Sequence, residues 1–96
     1  MKENPESQAF YARLKRQLQD DTSWPTPYMF KFIVPASLEK IAEIEAVFNN
    51  MDAIMNTRDS SKGTYTSVSI RVTMESPDAV VDKYLEVSKV EGVISL

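Results

Sequence analysis

The chain has 96 residues, 43% of them hydrophobic and 26% charged, with a formal net charge of −3 and a sequence pI near 4.9. That length predicts one small domain with a single modest core, and the acidic balance argues against nucleic-acid binding, which needs a basic face to displace counterions. Cysteine and histidine are both absent, which excludes disulfides, a thiolate nucleophile, and the commonest general base and transition-metal ligand.

The start, Met1-Lys2-Glu3-Asn4-Pro5, lacks the apolar core of a signal peptide. No apolar run approaches the roughly 18–20 residues that span a bilayer. A soluble cytoplasmic protein is expected, with no membrane contact.

After Pro5, Phe10, Leu14 and Leu18 recur at spacing four beside Tyr11, which predicts a short helix with a narrow apolar stripe. A helix of this kind persists only when docked. Its dock is either the body of the same domain or a partner. Asp20-Asp21-Thr22-Ser23 ends it with poor helix formers.

Trp24-Pro25-Thr26-Pro27-Tyr28 holds the backbone extended and leads into a first strand at Tyr28 to Val34. Tyr28, Phe30, Phe32 and Val34 form its core face; Met29, Lys31 and Ile33 form the other. Trp24 and Tyr28 are expected to latch onto the core. Ser37 is a candidate N-cap for a helix over about 38 to 50, with Leu38, Ile41, Ile44, Val47, Phe48 and Met51 as its apolar stripe.

A weaker, polar-ended pattern over about 53 to 59 reads as an edge strand. Gly63 then turns the chain into a strand at 65 to 74, with Val68, Ile70, Val72 and Met74 inward and Ser67, Ser69, Arg71 and Thr73 outward. Ser76-Pro77 starts a third helix reaching about Lys89, striped by Val80, Val81, Tyr84, Leu85 and Ser88. Gly92 breaks it, and Val93 to Leu96 form a last strand.

The order strand, helix, strand, strand, helix, strand predicts an α+β, ferredoxin-like βαββαβ sandwich. Its four-stranded antiparallel sheet has two helices on one face. Residues 1–23 form an N-terminal helical extension and 24–96 the ferredoxin-like domain.

Trp24-Pro25-Thr26-Pro27-Tyr28 and Ser60-Ser61-Lys62-Gly63-Thr64-Tyr65-Thr66-Ser67-Val68-Ser69-Ile70 resemble the YbeD-like family of small bacterial proteins. That family shows an aromatic-Pro-Thr-Pro-aromatic lead-in and an S-S-K-G-x-Y-x-S-V-S-I hairpin. The resemblance covers about residues 24 to 96. It implies a ferredoxin-like fold similar to the ACT regulatory domains, with no established activity. ACT ligand sites often use a glycine after strand one, where this chain has Pro35-Ala36-Ser37.

Ser60, Ser61, Lys62, Gly63 and Tyr65 form one candidate site, because such a turn can offer N–H groups, hydroxyls and an ammonium to an anion or partner. It lacks P-loop spacing and leads into a strand, so a plain hairpin also accounts for it. Lys31 and Arg71, on adjacent central strands of the open face, could meet an acidic partner or stay solvated. The sheet lacks the aromatics that stack RNA bases. Glu39 and Glu43 are too few for calcium, so no metal and no cofactor are expected.

The expected function is a non-enzymatic regulatory or interaction module, with an unknown protein partner or a small-molecule ligand. A small enzyme with its site at the 60–65 hairpin is the alternative. A monomer or weak homodimer is expected, because Lys31 and Arg71 sit among the apolar residues of the sheet face.

Overall fold

The structure, a computed structural model, describes residues 5–21 and 23–96; Met1 to Asn4 and Thr22 lie outside the described residues. Seven elements follow in chain order: α1 (Pro5–Asp21), β1 (Thr26–Pro35), α2 (Leu38–Val47), β2 (Ile54–Asp59), β3 (Tyr65–Met74), α3 (Pro77–Val87) and β4 (Ile94–Ser95). From β1 onward this is the ferredoxin-like βαββαβ order. The antiparallel sheet is ordered β2-β3-β1-β4, so β1 and β3 are central and β2 is an edge.

Alternation builds the core. Phe30, Phe32 and Val34 of β1 and Thr66, Val68, Ile70, Val72 and Met74 of β3 are buried on the helix side. Ile44 and Phe48 cover them from α2, and Val80, Tyr84 and Val87 from α3. Phe30 is the aromatic centre, with ring centroids 4.8 Å from Tyr28, 5.0 Å from Phe48 and 5.1 Å from Tyr84. The Tyr28 and Tyr84 hydroxyls are 3.0 Å apart. Burial first, and then that hydrogen bond, pushes the Tyr84 phenol well above its ordinary range.

The starts of α2 and α3 are chemically specified. Ser37 Oγ accepts from the Lys40 N–H at 3.3 Å, and Ser76 Oγ from the Ala79 N–H at 3.1 Å, with Pro77 opening α3. At the far end of α2, half-buried Lys83 donates to the Val47 carbonyl at 2.8 Å and pairs with Glu86 at 3.1 Å. Its ammonium lies 5.8 Å from the Phe48 ring centroid. One lysine of α3 thus satisfies an end carbonyl of α2 and ties the two helices together.

Three stripe residues differ from the sequence expectation. Leu38 is 88% exposed because two three-residue steps leave it about 120° around the helix from Ile44. Phe10 sits at the margin of its stripe and is largely exposed; Tyr11, Leu14 and Leu18 face the body instead. Ser88 lies past the last turn of α3, exposed, its hydroxyl donating to the Leu85 carbonyl, and Val87 and Val90 fill the core there. β1 also begins earlier than expected, at Thr26. Pro27 is tolerated because odd-numbered residues of β1 turn their backbone toward β4, which pairs only with Phe32 and Ile33.

α1 packs on α3, and Trp24 closes its end by donating from Nε1 to the Leu18 carbonyl at 3.1 Å. The Lys15–Asp78 pair between these helices is solvent-exposed and adds little. Deleting residues 1–22 is therefore expected to leave a cooperatively unfolding domain. It should be destabilised by about 2–4 kcal/mol, since the partly buried Tyr11, Leu14 and Leu18 no longer pack against the body. Urea denaturation of the truncated chain checks this, and loss of a cooperative transition would make α1 part of the core.

Candidate functional site

The sheet has one covered face and one open face. Cross-strand register arranges the open face in rows: Ile54, Arg71 and Met29; then Asn56, Ser69 and Lys31; then Arg58, Ser67, Ile33 and Ile94. Leu96 joins the middle row, its N–H donating to the Lys31 carbonyl at 3.0 Å. Tyr65 and Pro35 pair at the end of the same face.

This face is apolar and cationic together. Met29, Ile54, Ile94 and Leu96 are exposed, Ile54 at 61% and Leu96 at 66%. Because each is already about half covered, completing the cover would contribute on the order of 1 kcal/mol per side chain. Lys31, Arg58 and Arg71 stand among them, and none forms an ion pair among the described residues. No strand residue on this face is acidic; Asp59 belongs to the opposite parity, where it accepts from the Thr66 hydroxyl at 3.0 Å. A groove of about 540 Å³ crosses the face, lined by Lys31, Asn56, Arg58, Ser67, Ser69 and Leu96 among others.

The helix layer carries the opposite sign. Glu39, Glu43, Glu45, Asp78, Asp82 and Glu86 occupy α2 and α3 against Lys40 and Lys83, while α1, packed on α3, carries Arg13, Lys15 and Arg16 and offsets its own carboxylates. The net acidity of the chain therefore resides on the helix side, not on the open sheet face.

The hairpin candidates lie at one end of the sheet. Gly63 adopts φ +70° with no atom within 4 Å of where a Cβ would stand, so the turn demands its backbone freedom and nothing more. The Gly63 N–H donates to the Ser60 carbonyl at 2.9 Å, and the Ser60 N–H to the Tyr65 carbonyl at 2.8 Å. Ser60 Oγ accepts from the Tyr65 N–H at 3.2 Å. These donors close the turn and do not point at a ligand. A shallow groove of about 270 Å³ lined by Ser60, Ser61, Lys62, Thr64 and Tyr65 remains.

Of the sequence candidates, Lys31, Arg71 and Tyr65 share the open face, whereas Ser60, Ser61, Lys62 and Gly63 form the turn beyond it. Sequence reasoning missed Arg58, Ile54 and the last strand's Ile94 and Leu96 as members of this surface. Their signal was present: once the Gly63 turn sets the register, alternation in β2 places Ile54, Asn56 and Arg58 beside Arg71, Ser69 and Ser67. Among the described residues no group of three carboxylates or other ligating side chains could hold a metal ion, and no helix is long and apolar enough to cross a membrane.

A four-stranded sheet open on one side, with its helices on the other, defines a ferredoxin-like domain. The sequence profile of the family described as "Protein of unknown function (DUF493)" matches residues 19–96. Similar proteins include a UPF0250 protein of Haemophilus influenzae (strain ATCC 51907), 38% identical over 87 residues that cover 86% of this chain and 89% of that one. UPF0250 proteins of Shewanella piezotolerans and Shewanella woodyi are 36% and 33% identical over 73 residues, covering 73% of this chain and 83% of each relative. The chain belongs to this DUF493/UPF0250, YbeD-like family of small bacterial proteins. No solved structure matches it.

Proposed function

We propose that the protein is a non-enzymatic interaction module that works in a regulatory role in the bacterial cytoplasm and binds through its open sheet face. The observation that carries this reading is that face itself: exposed aliphatic side chains interleaved with Lys31, Arg58 and Arg71, uncovered by any described element. Isolated exposed apolar residues are ordinary, but a contiguous set rimmed by polar groups is the usual form of an interaction surface. Chemistry gives the rival reading less support. The hairpin donors Gly63 N–H and Tyr65 N–H are engaged within the turn, and the chain has no histidine to activate a serine.

An ACT-like capacity for a small ligand belongs to the same proposal and is tested with it. In a thermal-shift screen against a metabolite library, a ligand at a hundred times its Kd adds about 2.7 kcal/mol of stability. The same library is assayed for turnover with the wild-type chain and Lys62→Ala. Absence of turnover is the expected result. Reproducible turnover that is lost in Lys62→Ala would overturn the module reading in favour of an enzyme at the hairpin.

A further inference from the structure

Resting on that reading, we infer that the open sheet face docks an acidic protein segment whose carboxylates are interspersed with apolar side chains. The partner class follows from charge complementarity. The face carries Lys31, Arg58 and Arg71 with no acidic strand side chain on the same side of the sheet, in a chain whose carboxylate excess lies on α2 and α3. Cations that lack an internal partner lose hydration when covered, so the covering surface must supply anions.

Spacing distinguishes a segment from a small anion. From strand separation and rise per residue, the three cationic residues stand roughly 8–14 Å apart at their Cα atoms. Converging on one small anion would draw all three side chains inward and leave Met29, Ile54, Ile94 and Leu96 uncovered. A chain lying across the rows meets apolar and cationic positions in turn, and both kinds of contact are used.

A second copy of the same face fits badly. An isologous dimer would set the same three cations of each protomer against one another without a side-chain carboxylate between them. An RNA strand also fits badly, because the central rows offer aliphatic side chains and serines where base stacking requires aromatic rings.

The test is selection from a display library of random 14-residue peptides on the full chain, followed by titration of the synthesised consensus peptide by fluorescence anisotropy. Enriched peptides should carry two or more Asp or Glu separated by aliphatic or aromatic residues. Affinity for the consensus should fall about tenfold or more in Arg58→Glu/Arg71→Glu, and weaken as salt rises. If that variant does not melt cooperatively, Arg58→Gln/Arg71→Gln replaces it with the same direction of change. The inference is overturned if nothing is enriched, if enriched peptides lack carboxylates, or if binding ignores the charge changes. It is equally overturned if inorganic phosphate, citrate or a 20-nucleotide oligouridine displaces the peptide stoichiometrically at lower concentration, or if sedimentation shows the face closed by self-association. Enrichment of non-acidic peptides defeats the acidic partner yet leaves the interaction module standing; only the turnover result above defeats the module.

Discussion

Phe30→Ala should destabilise the domain by about 3–5 kcal/mol, the largest effect expected of any single truncation. Phe30 has no exposed surface and contacts the rings of Tyr28, Phe32, Phe48 and Tyr84, which come from β1 itself and from both flanking segments of the helix layer. Its loss leaves a cavity bounded by large rings anchored on separate elements, which cannot collapse together. Against a total stability of roughly 5–15 kcal/mol, such a loss removes at least about a fifth of the total, and most of it at the lower end of that range. Urea titration reads the change, with Phe10→Ala as the control. Phe10 lies at the edge of α1 and is 48% exposed, so its truncation should stay within about 0.5 kcal/mol. Equal effects of the two substitutions would contradict the core described above.

The second large effect distinguishes the two glycines. Both have positive φ, +70° at Gly63 and +82° at Gly92, so alanine at either costs roughly 1–2 kcal/mol of backbone strain. Surroundings differ. A Cβ at Gly63 meets nothing, whereas at Gly92 it would stand 2.9 Å from Pro35 Cγ and 3.1 Å from Pro35 Cδ. The Pro35 ring is fixed at the end of a paired central strand and has little freedom to retreat. Gly92→Ala should therefore cost about 2–4 kcal/mol and Gly63→Ala about 1–2 kcal/mol, by the same strain plus overpacking at the first site only. Adding Pro35→Ala to Gly92→Ala should recover part of the difference in a double-mutant cycle. No recovery would mean that Pro35 is not what Gly92 makes room for.

Much of the architecture was legible because alternation is a strong signal where one strand face is wholly buried. The four inward residues read in β3, Val68 to Met74, and the aromatic face of β1 admit one register only, which also buries Thr66. The two N-caps were legible from Ser37 and from Ser76-Pro77. Helix stripes were read less well, since apolar residue type says nothing of angular drift. Leu38 and Phe10 are hydrophobic, in sequence with their stripe, and still turned to solvent. The candidate surface was half legible. Lys31 and Arg71 could be placed from the central strands, but Arg58 and Ile54 sit on an edge strand with weak pattern, Ile94 on a strand of two paired residues, and Leu96 just beyond it. Those four acquire meaning only when strand order brings them alongside β1 and β3.

The division of charge between the layers has a kinetic consequence. A net charge of −3 implies that an acidic partner is repelled, yet the molecule is closer to a dipole, with carboxylates on α2 and α3 and cations on the opposite sheet face. An acidic chain approaching from the helix side is turned away, and one approaching from the sheet side is drawn in, so the field acts as a torque that orients the encounter before contact. Salt collapses that field within about 8 Å at physiological ionic strength, which makes the association rate the sensitive quantity. Residence time on the face instead depends on how well Met29, Ile54, Ile94 and Leu96 are covered. Arrival and departure are thus governed by different residues of one surface, and each can change without the other.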